Sequence, residues 1–254
     1  MRALTASVLL ASATAVLLAP PVAAERTSNP CLGPRRAHLR CPDLRIGRPR
    51  ELYIQRLGGQ VRLRATSDVR SRGRGPMELR GVRDGRRSMS VAQRIYKTAG
   101  GHLTVPTAAE LHFTDVGAYF GGSYWKVHEL ARFELWSVDS QRHLQRRVRT
   151  GPKLNYCLRD LELTRPGRRS PRRRHYPGCD QNPYRHRVTL GTSVGWSDIY
   201  PADYDKQWIN VAGLHGCFAF VMRVDPHNLL YESHEDNNSS RRLVHLPYRG
   251  KPGC

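Results

Sequence analysis

Past its first 24 residues the sequence contains no apolar run approaching the roughly 20 residues a helix needs to cross a bilayer, so no later segment is read as a membrane span. It also has no internal repeat and no long amphipathic helical pattern, which argues against a solenoid or a helix bundle. None of its cysteines stands in a C-x-x-C pair, so neither a zinc ribbon nor a thioredoxin-like redox site is expected. Negative charge is scarce: 21 Asp and Glu face 42 Lys and Arg, a formal net charge of +21 over 254 residues. A field of that size attracts nucleic acid, anionic surface polymers and acidic proteins alike. No aromatic interleaving, zinc-finger spacing or RNP-like motif accompanies it, so dedicated nucleic-acid binding is not expected.

What is present points to export. Arg2, the apolar run Ala6 to Leu18 and the small-residue end "PPVAA" have the order of a secretory signal over residues 1–24, cleaved after Ala24, and the rest reads as a secreted protein with no membrane span. Six cysteines suit an oxidising compartment and allow three disulfides in fifteen connectivities. Loop closure favours near neighbours, hence Cys31 with Cys41 and Cys157 with Cys179, leaving Cys217 with Cys254. The densest basic run, "RPGRRSPRRRH" at residues 165–175, is broken by Pro, Gly and Ser and reads first as a solvated loop.

Residues 25–50, rich in Pro and Arg, read as a mostly irregular segment closed by one disulfide, and residues 51–254 as a β domain. "ELYIQR", "QVRLRATSDVRS", "PMELRGV", "SMSVAQRIYK", "ARFELWSVD", "LNYCLRDLEL", "HRVTLGTS", "QWINVAG", "CFAFVMRVDP" and "RRLVHLPY" alternate or are rich in β-branched and aromatic residues between turn signals. Such spacing predicts an all-β, sandwich-like domain. "TAAELHF" reads as a turn of helix, and in the strand "CFAFVMRV" both faces are apolar, as in a strand covered on both sides. Glu232, Asp236, Asn237 and Asn238 read as turn builders ahead of calcium ligands, since their spacing matches no calcium loop.

Three ordered motifs, "RRVRTGPKLNYCLRD", "SDIYPADYDKQWINVAG" and "FVMRVDPHNLLYESHEDNN", resemble the catalytic domain of the lysyl oxidase family, with similarity strongest from Leu111 to Tyr248. The resemblance implies a β domain that oxidises lysyl or small primary amines with oxygen. It also implies a lysine tyrosylquinone made from the protein's own side chains, which falls on Lys153 and Tyr200. A neutral Lys amine can add to an oxidised Tyr ring, and burial lowers its pKa toward that state. Asp198, two residues before Tyr200, is the expected base, with Asp203 and Asp205 as alternatives.

The family also carries copper on an H-x-H-x-H triplet just before a segment like "ELARFELW". Alternate positions of a strand converge on one ion. In "GAYFGGSYWKVHELARFELW" the triplet falls on Gly121, Ser123 and Trp125 or on Gly122, Tyr124 and Lys126, and neither frame contains His. His128 is the nearest remaining imidazole, with His112 upstream. Two functions follow as expectations: an amine oxidase working through Lys153 and Tyr200, or a non-catalytic basic domain that binds anionic polymers or proteins.

Overall fold

The structure, a computed structural model, describes residues 28–250 and 254. The signal expected over residues 1–24 lies outside the described residues. In chain order the strands are β1 Leu39–Arg40, β2 Leu44–Ile46, β3 Arg50–Leu57, β4 Gln60–Ser71, β5 Met77–Arg83 and β6 Ser88–Lys97. Next come β7 His102–Asp115, β8 Ser123–Val127, β9 Ala131–Val138, β10 Leu144–Thr150 and β11 Glu162–Leu163. The last are β12 Arg187–Thr192, β13 Trp196–Tyr200, β14 Trp208–Asn210, β15 Gly216–Val224 and β16 Ser239–Leu246. Only two short 3-10 turns interrupt this all-β order among the described residues.

The strands form three sheets: β12-β5-β6-β7-β8 with β1 on β6, β10-β9-β15-β16, and β11-β13-β4-β14 with β2 and β3 also on β4. One apolar core joins all three, drawing Leu63 from β4, Leu111 from β7, Trp125 from β8, Phe133 from β9 and Phe220 from β15. Strand β4 pairs with β3 and β14 along its first half and with β2 and β13 along its second. Both its edges are therefore occupied, which lets Ser67, Asp68 and Ser71 lie buried without orphaning the backbone. The β3-β4 hairpin closes through Gly58 and Gly59, both at positive φ, as a two-residue turn of the primed kind requires. Strand β15 lies between β9 and β16, and Phe218 to Met222 are all buried, so both faces are indeed covered.

Two expected elements differ. "TAAELHF" is part of β7, because Leu103, Val105, Thr107, Ala109 and Leu111 point inward at every second position and the strand is paired on both sides. Pairing overrides the helix preference of Ala, Glu and Leu. "LNYCLRDLEL" is mostly irregular, with only β11 and a bridge from Tyr156 to Val127. The N–H groups of Cys157 and Leu158 are taken by side chains instead of a neighbouring strand, and Leu158 sits at φ 57°.

All three expected disulfides are formed. The segment before β3 is less irregular than its composition suggests, since β1 and β2 add to existing sheets. Its tie to the body is the Glu232 turn. The Glu232 carboxylate accepts the Leu44 N–H and the Asn238 side-chain amide, and Asn237 donates to Asp43. Arg72 to Gly75 crosses the same segment closely, with Arg72 N–H on Asp43 and Arg74 N–H on Cys41. A Cβ on Gly73 would lie 2.4 Å from the Cys41 carbonyl oxygen and 2.5 Å from the Asp43 nitrogen, both backbone atoms with no room to yield. Gly73→Ala is accordingly expected to lower stability by about 1–3 kcal/mol or more, read by denaturant unfolding.

Candidate functional site: a buried amine and phenol pocket

Strand β13 carries Asp198 and Tyr200 two apart, so both side chains project to one side. Opposite them the chain after β10 passes through the core. Gly151 donates to Phe133 O, and a Cβ there would meet Trp208 O at 2.5 Å, so only glycine lets the segment enter. Tyr156 then bridges Val127 in both directions, Val127 N to Tyr156 O at 2.8 Å and Tyr156 N to Val127 O at 3.3 Å. Cys157 N–H donates to the Tyr200 hydroxyl at 2.9 Å, and Leu158 N–H to Asp198 Oδ2 at 3.2 Å. The Cys157–Cys179 disulfide anchors the far end.

This threading places Lys153 Nζ 4.0 Å from the centre of the Tyr200 ring, with the amine 3% exposed and the phenol 3% exposed. Tyr156 and Tyr204 close the pocket, their rings 4.9 Å from that of Tyr200 and their centres 5.0 and 5.1 Å from Lys153 Nζ. Tyr204 packs in turn on Phe120, in the "GAYFGG" turn, where Gly117, Gly121 and Gly122 all have positive φ. Arg64 holds the Tyr204 loop by donating to the carbonyls of Ala202 and Tyr204 at 2.6 Å each.

Burial dominates the electrostatics. It drives the Lys153 amine well below its ordinary pKa, and the nearby Lys126 charge pushes the same way. The Tyr200 phenol is driven well above its ordinary value by burial and by the adjacent Asp198. Asp198 is raised by burial, with Arg159 and hydrogen bonding to Tyr200 pulling it back. Its Oδ1 has no hydrogen bond and faces Arg159 Nε at 3.5 Å. Of the two alternative bases, Asp203 is exposed, and Asp205 is half-buried with Lys206 at 3.9 Å.

Lys126 is the residue whose position sequence reasoning did not foresee. Its side chain enters the same pocket, with Nζ 3.5 Å from the Tyr204 hydroxyl and 5.9 Å from the Tyr200 ring centre. Burial lowers its pKa to about 8. Tyr124 shares its strand face, 5.7 Å from Lys126 Nζ to the ring centre, whereas Trp125 points into the apolar core. Of the two frames for the copper triplet, the structure thus turns Tyr124 and Lys126 toward the phenol pair. That pocket offers amines and phenols and no imidazole. His128 stacks on His112 with ring centres 4.0 Å apart and an interplanar angle of 14°, presenting ring faces to one another instead of converging nitrogens. Copper therefore does not fit the donors present. Among the described residues the one converging group of metal-capable side chains is Asp225, Glu232 and Glu235, and it belongs to the turn that ties down the N-terminal segment.

Fold and pocket together define the class: residues 110–251, more than half of the chain, match the family model described as lysyl oxidase, and the chain belongs to that family. It is similar to the protein-lysine 6-oxidases of Rattus norvegicus (29% identical over 123 residues, 46% of this chain and 25% of that protein) and Gallus gallus (30%, 46% and 24%). The enzyme of Sus scrofa is 29% identical over the same length, 46% of this chain and 41% of its own. The matched stretch thus spans 24% to 41% of the length of these relatives.

Proposed function

We propose that this chain is an exported lysyl-oxidase-like amine oxidase that turns protein lysyl groups or small primary amines into aldehydes, with a lysine tyrosylquinone derived from Lys153 and Tyr200 as its reactive group. The observation that carries this reading is the 4.0 Å approach of a buried, deprotonation-prone amine to the Tyr200 ring. Once formed, such a quinone would supply an electrophilic carbonyl for a primary amine, with oxygen as the electron acceptor. Around it this chain's residues have separate tasks. Lys153 holds its amine over the ring, where burial favours the neutral form. Tyr156 and Tyr204 hold the ring edges and exclude water, and Asp198, raised by burial, is the group assigned to accept the proton from the carbon bearing the substrate amine. The 3-10 turn Ala118–Phe120, flanked by glycines, covers the phenol side through the contact of Phe120 with Tyr204.

Lys126 favours a second reading, in which the domain is non-catalytic and binds anionic polymers, because it occupies the region where copper would be held. Peptide mapping separates the two. Protein produced with copper and oxygen is digested and assayed for release of aldehyde and peroxide from primary amines. A cross-linked peptide joining Lys153 to Tyr200, with turnover, is the expected result. Separate, unmodified Lys153 and Tyr200 peptides in that sample would leave only the binding reading.

A further inference from the structure

The basic run at residues 165–175 is an exposed, irregular loop, as expected, and it is held at several points. Arg165 N–H donates to Gly195 O at 2.9 Å, Trp196 Nε1 donates to Pro171 O at 2.9 Å, and Arg174 donates to Leu161 O at 2.9 Å. Gly195, at φ 84°, has no room for a Cβ, which would lie 2.3 Å from Arg165 O. The run is pinned beside the end of β4, where Gly195 N–H also donates to Ser71 O.

That placement builds a cavity of about 680 Å³ lined by Arg72, Arg165, Arg168 and Arg169 with glycines and serines. A second cavity of about 670 Å³ adjoins it, sharing Arg72, Gly73 and Arg169 and adding Arg36, Arg45 and Arg74. Seven guanidinium groups thus meet one carboxylate, Asp43, and that one is already bonded to Arg45 and Asn237. None of the other six has a carboxylate partner among the described residues. Arg72 Nη1 is buried with no hydrogen-bond partner, while its Nη2 donates to Thr164 Oγ1 at 3.1 Å. Burial and the like charges of Arg70 and Arg165 lower the Arg72 pKa. Like charges crowded around an unsatisfied donor mark a place where an anion is absent.

We propose that the two adjoining cavities form a groove for a linear polyanion whose charges are tetrahedral phosphate or sulfate groups without nucleobases. The arginines converge from different elements: Arg72 from the end of β4, Arg165 to Arg169 from the pinned loop, and Arg36 from the disulfide-closed segment. A tetrahedral phosphate or sulfate group presents several oxygens in different directions and can satisfy them together, where a planar carboxylate presents two. Neither cavity is lined by Phe, Tyr or Trp, so there is no platform on which nucleobases would stack. The inference is independent of amine oxidation, since the groove shares no residue with the Lys153 pocket.

The test compares two triple variants that lose equal charge at exposed positions, R165Q/R168Q/R169Q in the groove and R146Q/R149Q/R187Q elsewhere. Binding of inorganic polyphosphate, dextran sulfate and single-stranded poly-dT is measured across a salt series, with melting curves as the folding check. The groove triple is expected to weaken polyphosphate and dextran sulfate by about tenfold or more and to reduce the salt slope by about two to three, and the control triple to change affinity by less than about twofold. The tighter of polyphosphate and dextran sulfate identifies the anion as phosphate or sulfate. Equal losses in the two triples, or poly-dT bound more tightly than either base-free polymer, would overturn the proposal. R72Q is a second probe, expected to weaken the same two polymers without changing any cross-link between Lys153 and Tyr200.

Discussion

Lys153→Met is expected to give a protein that melts higher than its parent at neutral pH and shows no trace of the Lys153 to Tyr200 cross-link, of carbonyl reactivity toward phenylhydrazine, or of amine oxidation. The two effects share one cause. Lys153 is completely enclosed by tyrosine rings and sits near a second lysine, so folding must either strip its proton or bury its charge. Its folded pKa lies below that of the unfolded chain, so the folded state binds fewer protons between those two values. The penalty is full below the folded pKa and fades as pH rises toward the ordinary lysine value. Methionine fills similar volume without an ionisable group and removes both the penalty and its pH dependence. A loss of chemistry without the gain in stability would show that the amine is not buried as described; retained carbonyl reactivity would remove Lys153 from the proposed chemistry altogether. Tyr200→Phe completes the pair, keeping the ring while removing the hydroxyl that accepts the Cys157 N–H, and is expected to abolish carbonyl reactivity at some cost in stability.

How far the sequence could be read depended on what held each segment. Strands governed by alternation were legible: β4, β6, β9 and β15 fall within a residue or so of the expected segments because sheet pairing follows apolar pattern. The disulfides were legible from loop length. "LNYCLRDLEL" was not, because its hydrogen bonds go to the side chains of Tyr200 and Asp198, and no local pattern announces a partner some 40 residues away. Lys153, Tyr200 and Asp198 came from family motifs, and the structure brings them to one pocket. Arg159 and Tyr204 were missed, since each is an unremarkable residue until β13 and its following loop are placed. "RPGRRSPRRRH" was read from its Pro and Gly content, whereas the carbonyls and glycine of a distant strand decide its conformation. Local consistency fails most where side chains replace backbone pairing, which is also where the chemistry collects.

Lys126→Met is expected to stabilise the protein below pH 8, and its advantage over the parent should shrink by about 3 kcal/mol as the pH climbs from 8 to 10.5, the free-energy equivalent of the pKa shift. Below pH 8 the parent carries a charged Lys126 in both states, and folding bears the cost of burying it. Between pH 8 and 10.5 the folded parent has released that proton while the unfolded chain keeps it, so the parent gains stability with rising pH and the variant does not. Tyrosine ionisation is common to both proteins and largely cancels in the difference between variant and parent, which reads Lys126 together with its coupling to Lys153. Denaturant melts at stepped pH measure it, and a gap that stays constant across this range would sink the assignment. Lys126→Arg keeps the charge at every pH and should hold the parent's low-pH penalty throughout. The same substitutions probe chemistry, because the Lys126 charge is one of the forces that lowers the Lys153 pKa. Removing that charge raises the Lys153 pKa, so the neutral amine that can react with the Tyr200 ring forms at higher pH. Lys126→Met should therefore shift the pH dependence of cross-link formation upward. The buried Lys126 then has a physical consequence of its own: its charge helps to lower the pKa of its neighbour.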